Sequence, residues 1–414
     1  MSGTARPRIV TAQPGPGAIH PATLAEARES FLYVDPVWLA ATDHALPGMT
    51  PFHTVARRRD DEHAVLPAYL VTDPALPDVD PLTYLQAGPV APGQCGTGGC
   101  GAIEGIVAAD LLPAIVIGSP LGFHTEPFFT FWNERLLPDM VAATLDAARD
   151  VGAKSVLAPW MSQRLTGVDL GGELRRAGAA QTFWGSDEYI PLSAASAEAH
   201  LAGIPRKQRQ RLTGDARRLS ETVALRTLTG SDLGEVLPPL ATLIAATYQR
   251  HGTPLTADAL LAACTALLPT SDMRAICAFT PDDGRLLGGH ILFYRHPRLY
   301  AKWVGVDTDV AGTGLYFALV IEAAIALGYE LGALSLELGA GAYEAKRLRG
   351  SLSRVKNTAL LAFDPAVLSA CLPLFTEFGR SRRAAQNSTT SPLSDLELAA
   401  ADSGGPNGAP CCSD

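Results

Sequence analysis

Two stretches of this chain, AATLDAARDVGAKSVLAPW (142–160) and VIEAAIALGYELGALSLEL (320–338), follow one plan. Each places apolar residues at helical spacing, then a glycine stop, then a short apolar strand. Around them the order of elements also repeats: helix, hairpin, strands, helix, strand, short segment, strand. A chain built this way reads as two copies of one α/β unit. The expected junction lies near Ser193–Ala202.

Within the first copy, helical spacing covers Leu24–Ala45, interrupted before Pro36, and the runs Phe52–Arg58 and Ala64–Val71 read as a hairpin. Ala114–Gly118, Ser155–Trp160 and Thr182–Leu192 read as strands, and Glu134–Val151 and Leu174–Ala177 as helices. In the second copy, Arg206–Leu219, Leu233–His251 and Thr256–Leu268 read as helices. Arg274–Phe279 and Leu286–Tyr294 form a hairpin, followed by strand Leu299–Asp307. An apolar helix Gly314–Leu327, closed by Gly328, leads to strands Leu334–Leu338 and Arg354–Phe363. The expected division is 1–22 disordered, 23–192 and 193–365 as the two units, and 366–414 a helix followed by a disordered tail.

With 414 residues, 47% of them apolar and 18% charged, the chain can bury a large core, so global disorder is excluded. The net charge of −9 argues against a protein that coats nucleic acid, and no DNA partner is expected. The seven cysteines are odd in number and irregularly spaced, so no disulfide framework follows. Cys95 and Cys100 flank a glycine-rich loop without a second pair or histidines at ligand spacing, so no metal is expected. MSGTARPRIVTAQPGPG lacks the apolar core of a secretory signal, and no long apolar run suggests a membrane span. The expected compartment is the cytoplasm.

The strand YAKWVGVD, the loop TDVAGTG and the helix LYFALVIEAAIALG follow in the order seen in GNAT acyltransferases. In a wider span, Phe31 to Phe363, the chain resembles the Fem-like branch of that superfamily. The resemblance rests on VDPVWLAA, VIGSPLGFHTEPFF, IPRKQRQRLTGDARRL, GGHILFYRHPRLYAKWVGVD and AYEAKRLRGSLSR, in that order. It implies an α/β (α+β) chain of two tandem GNAT-like domains, each a mixed central sheet flanked by helices. It also implies amide-forming acyl transfer to a small amine, with specialised metabolism the expected setting. Many members of the branch take an aminoacyl group from aminoacyl-tRNA, so the tRNA acceptor end is an expected partner and no separate cofactor is required. Acyl-CoA is the alternative donor, and a non-catalytic ligand-binding module is the third reading. The GNAT signature carries a basic residue before the glycines of the phosphate loop. Here Thr308, Asp309 and Val310 stand there, and an acidic side chain repels a pyrophosphate.

Acyl transfer to an amine needs a proton acceptor, donors for an oxyanion and aligned substrates. His124 reads as a base or acceptor-orienting group, or as a turn residue bonded to backbone. Lys302 lies inside a strand, on the face of Tyr300 and Val304, and reads as a cleft residue or an edge lysine. Glu344, with Tyr343, Lys346 and Arg349, belongs to a charged loop that either holds substrate or pairs its own charges in solvent. On this reading the catalytic candidates are His124, Lys302 and Glu344. The substrate-binding candidates are Glu126, Asp187, Tyr343, Lys346 and Arg349, with Lys346 and Arg349 one turn apart as a clamp for phosphate or carboxylate. Asp187 and Glu188 read as an acidic pair for an ammonium group or as solvated strand-end charges. Arg206, Lys207, Arg209, Arg211, Arg217 and Arg218 face one acid, Asp215, and read as a tRNA phosphate contact or as the exposed face of an amphipathic helix. Phe128, Phe129 and Phe131 read as core or pocket wall.

Overall fold

The computed structural model describes residues 8–11, 32–46, 48–59, 62–74, 76–86, 105–129, 135–162, 169–219, 222–250, 255–270 and 272–387. Residues 24–31, the Cys95–Cys100 loop, Phe131, the Arg218 side chain and the segment after Asn387 lie outside it. The strands are β1 (Arg8–Thr11), β2 (Met49–Pro51), β3 (Thr54–Arg59), β4 (Glu62–Leu66), β5 (Ala68–Val71), β6 (Ala114–Ile117), β7 (Phe128–Phe129) and β8 (Ser155–Ser162). They continue with β9 (Ala180–Pro191), β10 (Ala224–Leu228), β11 (Met273–Phe279), β12 (Leu286–Arg295), β13 (Arg298–Val306), β14 (Ser335–Gly339) and β15 (Leu352–Ala362).

Eleven strands form one mixed sheet in the order β10-β11-β12-β13-β14-β9-β15-β8-β6-β5-β2. The repeat read from the sequence is visible in its pairing. In the first half β6 runs parallel to β8, and in the second half β13 runs parallel to β14. In the first pair every residue of β6 and β8 is buried, as in strands covered on both faces. The two last strands change places. β9, from the first half, pairs with β14, while β15, from the second half, pairs with β8. β9 and β15 then pair with each other through the middle of the sheet. The fold is two α/β units sharing one sheet.

The expected strand Ala64–Val71 is two strands. Pro67 cannot donate to a ladder, and the chain switches there from β4, in a four-stranded sheet β1-β3-β4-β7, to β5 in the large sheet. His53 steadies the switch by accepting the Ala68 N–H at 3.2 Å on Nδ1. The helix after β13 also runs past Gly328 to Glu330. Gly328 packs against Leu192 inside it, and the left-handed turn is made by Gly332.

The N-terminal helix Pro36–Ala45 is buried in the second half of the chain. Asp35 caps it by accepting the Val37 N–H at 2.8 Å, and Trp38 stacks on Trp303 of β13 with ring centroids 5.8 Å apart. Arg295 of β12 binds Asp35 and Asp272, each at 2.6 Å, so an ionic triad with a buried Arg295–Asp35 pair fixes the helix to the hairpin. Helix Gly230–Arg250 lies hard against β13. A Cβ on Gly305 would stand 2.3 Å from the Ile244 backbone nitrogen. Gly305→Ala therefore lowers stability by about 1–3 kcal/mol in urea unfolding. Gly203→Ala, where nothing lies within 4 Å, leaves the midpoint unchanged or slightly raised. Equal midpoints for the two variants would rule out this close approach.

Candidate active site

β13 and β14 are bonded only from Arg298–Tyr300 to Ser335–Glu337, and then they separate. The gap opens into a cavity of about 210 Å³ lined by Ala301, Lys302, Leu338, Gly339, His124 and Asp187, among others. The splayed strand pair, the turn after β6 and the middle of β9 meet there, with residues of other elements completing the wall.

Lys302 reaches the cavity because β13 carries a bulge. Ala301 pairs with Leu292 and Trp303 with Ile291, leaving Lys302 as an extra residue. The bulge breaks the strict alternation expected from the sequence. Tyr300 and Trp303 share one core with Trp38, while Val304 belongs to the core on the other side. The Tyr248 hydroxyl donates to the Lys302 carbonyl at 3.3 Å. The ammonium sits among rings, 4.9 Å from the centroid of Phe123 and 5.2 Å from that of Tyr33. Burial and the nearby Lys356 lower its pKa to about 7, against the pull of Asp187. The amine is thus poised to gain or lose a proton near neutral pH.

Asp187 is the fixed charge of the site. Burial pushes its carboxyl up, but Lys356 and His124 outweigh that and hold it well below the usual carboxylate range. Lys356 Nζ lies 2.5 Å from Asp187 Oδ2 and donates to the Phe123 carbonyl at 2.6 Å. His124 Nε2 lies 3.1 Å from the same carboxylate oxygen, which calls for the ring proton on Nε2. The imidazole stacks on Tyr33, centroids 4.7 Å apart. Burial and Lys356 lower the His124 pKa to about 3, so the ring is neutral at physiological pH. Glu126 lies two residues beyond, buried, with no hydrogen-bond partner for either carboxyl oxygen among the described residues. Burial raises its pKa to about 8, so it is an uncharged acid at pH 7.

The structure brings His124, Asp187, Lys302 and Tyr343 to one cavity, and Glu126 is buried outside its lining. It separates the rest of the charged loop. Alternation along β9 turns Glu188 to the opposite face from Asp187, where it binds Arg347 at 3.2 Å together with Ser351 and Ser353. Lys346 does not form a clamp with Arg349. Its three donors go to the carbonyls of Leu338, Gly339 and Ala340, and the side chain is 2% exposed. Glu344 and Arg349 line a second, wider cleft of about 700 Å³ with Lys207, Gln210, Arg211 and Leu348. Arg349 stacks there on Phe317, 3.7 Å from its centroid. Glu344 is therefore not among the groups around Lys302. On the basic helix Arg206, Lys207, Arg211 and Arg217 are exposed, whereas Arg209 turns back to the carbonyls of Leu201 and Ala202. Phe128 and Phe129, half-buried, form β7.

Lys356, Tyr33, Tyr248 and Arg382 are among the site residues that escaped the sequence reading. Lys356 interrupts the apolar strand VKNTALLAF, the same signal that singled out Lys302, and could have been found. Tyr33 and Tyr248 look like ordinary core aromatics in the sequence. Among the described residues no group of three or more His, Cys, Asp or Glu is placed to hold a metal ion, and no helix is long and apolar enough to cross a membrane. Cys264, Cys277 and Cys371 are buried thiols without disulfides.

Residues 206–347 match the family model of the acetyltransferase (GNAT) domain. No curated protein sequence matches the chain. Among solved structures, FemX superposes with a TM-score of 0.56 at 12% identity, over 85% of this chain and 98% of FemX. A conserved protein of unknown function from Bacteroides thetaiotaomicron superposes with a TM-score of 0.50 at 10% identity, over 86% of this chain and all (100%) of that one. L-PGS from Bacillus licheniformis gives 0.49 at 11% identity, over 87% and 97%. At these identities the likeness is one of fold.

Glu126 offers a direct test of the site's electrostatics. Its folded pKa of about 8 lies above the unfolded value of 4.5, so the folded state loses stability as pH rises from 4.5 to about 8. Glu126→Gln removes that loss. Its thermal midpoint matches wild type near pH 4.5, exceeds it increasingly up to about pH 8, and keeps a constant lead above. A pH-independent difference would show that Glu126 is ionised in the folded protein.

Proposed function

Starting from a chain that carries a GNAT acetyltransferase domain within a Fem-like fold, we propose that this protein transfers an aminoacyl group from aminoacyl-tRNA to a small amine bound beside Lys302. The reaction class, N-acyl transfer, is that of the domain. The donor, the acceptor and a setting in cytoplasmic specialised metabolism belong to the proposal. The observation that carries it is an amine with a pKa of about 7 in the gap between the splayed strands, next to the fixed His124–Asp187–Lys356 cluster.

Lys302 in its neutral form takes a proton from the acceptor's ammonium group. The freed amine attacks the ester carbonyl of the donor, forming the N–C bond. Collapse of the tetrahedral species breaks the C–O bond to the ribose, and the electron pair leaves on that oxygen. The remaining excess proton on nitrogen passes to the leaving oxygen, giving an amide and a free hydroxyl. Lys302, now charged, stands near the developing oxyanion and stabilises it. Neutral His124, held by Asp187, keeps the wall in place and does not compete for the proton.

Two features support a tRNA donor over acyl-CoA. Lys207, Arg211 and Arg349 line a cleft on the far side of the short helix Tyr343–Arg347 whose near side presents Tyr343 to the cavity. That cleft suits the phosphates of an acceptor end while its terminal ester enters the gap. Meanwhile the loop Thr308–Thr313 uses its own N–H groups: Asp307 accepts those of Asp309 and Val310, and Asp309 is exposed where a pyrophosphate would approach.

The test is amide formation from candidate amines with charged tRNA or acyl-CoA, with and without ribonuclease. Product that needs acyl-CoA and survives ribonuclease overturns the tRNA donor, and no product with any donor leaves only a binding role. Lys302→Met lowers single-turnover rate by about 10²–10⁴-fold and abolishes the rise in rate through pH 7. Lys207→Gln and Arg211→Gln each reduce the salt dependence of tRNA binding, by about 1 in the slope of log affinity against log salt. An unchanged slope places the tRNA elsewhere.

A further inference from the structure

The C-terminal helix Pro365–Asn387 lies beyond the residues matched by the acetyltransferase domain, yet it supplies a wall of the cavity. Arg382 lines the cavity from that helix, as Lys302 does from β13. Its guanidinium lies 5.6 Å from the ring centroid of Trp184 and 5.1 Å from that of Phe378. Its Nε is buried and has no hydrogen-bond partner among the described residues. Neighbouring arginines differ: Arg380 pairs with Glu377, and Arg347 with Glu188. Among the described residues no carboxylate pairs with Arg382. A half-buried guanidinium held only by aromatic faces is costly, because the rings replace a small part of the water it has lost.

We propose that Arg382 binds the carboxylate of the acceptor, so that the acceptor is an amino acid or a similar small zwitterion. This deepens the function proposed above and rests on the cavity being the acceptor site. A planar guanidinium flanked by rings suits a carboxylate, which it meets through two parallel N–H donors. The cavity, about 210 Å³, is below the ~300–1,000 Å³ of sites for drug-sized ligands and fits a molecule of amino-acid size. Its other charged groups suit the other end of such a molecule. Asp187 attracts an ammonium group, and Lys302 accepts its proton. A phosphate is the competing anion, but the wide basic cleft at Lys207, Arg211 and Arg349 already offers phosphates a place of their own.

Binding measured by calorimetry tests this without any acyl donor. The probes are the common L-amino acids, their carboxamides and inorganic phosphate, against wild type, Arg382→Gln and Arg382→Lys. At least one amino acid binds wild type about 30-fold or more tightly than its carboxamide. Arg382→Gln, with an unchanged circular dichroism spectrum, binds acid and amide alike, and Arg382→Lys recovers part of the preference. Equal binding of acid and amide to wild type overturns the proposal. So does binding of no amino acid, a preference that survives in Arg382→Gln, or Arg382-dependent binding of phosphate alone. The calorimetry stands apart from the transfer assay. Transfer to amines with no carboxylate, at undiminished kcat/KM, sinks this inference and leaves the acyltransferase reading intact. Carboxylate-selective binding without transfer does the reverse.

Discussion

Asp187 keeps its negative charge in the middle of a wide sheet because Lys356 of the adjacent strand stands 2.5 Å away. Much of the site follows from that contact. The carboxylate orients His124, and burial together with the ammonium keeps His124 neutral and lowers the pKa of Lys302. Removing either partner leaves a buried charge uncompensated, a defect worth about 3–5 kcal/mol in comparable pairs. Asp187 belongs to the last strand of the first half and Lys356 to the last strand of the second. They meet only because those strands exchange places and pair with each other. Neither half of the chain contains the site alone.

The same strand serves a second network on its other face. Glu188, fully buried, gathers Arg347, Ser351 and Ser353, and Ser186 and Gln386 complete the cluster. Arg347 ties the short helix Tyr343–Arg347 to the sheet, and Lys346 ties it to the end of β14 through three carbonyls. Charges that look like substrate ligands in the sequence are spent on fixing this helix. The helix then divides the space, with Tyr343 facing the small cavity and Glu344 and Arg349 the wide cleft. The small cavity and the wide basic cleft share this helix as their partition.

Much of the architecture was legible in the chain. The basic helix Arg206–Leu219 has the boundaries its spacing predicts, and β11 to β15 lie within two residues of theirs, whereas β10, an edge strand with exposed residues, was not legible. Apolar periodicity is a local signal, and helices and buried strands obey it. His124, Asp187 and Lys302 were legible as polar residues in or beside apolar strands, where an uncompensated charge needs a reason. Pro67 was the local cue to the switch between sheets, since a proline inside a strand run argues against an unbroken ladder.

What the sequence alone determined is the pair of α/β units, their element order and a short roster of polar residues near strand ends. What only the tertiary structure decided is which of those residues meet. The bulge at Lys302 arises from pairing with β12, so no period-two rule could show its direction. Exchange of β9 and β15 joins Asp187 to Lys356 across 169 positions of chain (356 − 187). Arg382 looks like one more cation in a surface helix until that helix packs on Trp184 and closes the cavity. Contacts between distant residues depend on packing and strand register, which are properties of the whole sheet and are absent from any local stretch of sequence.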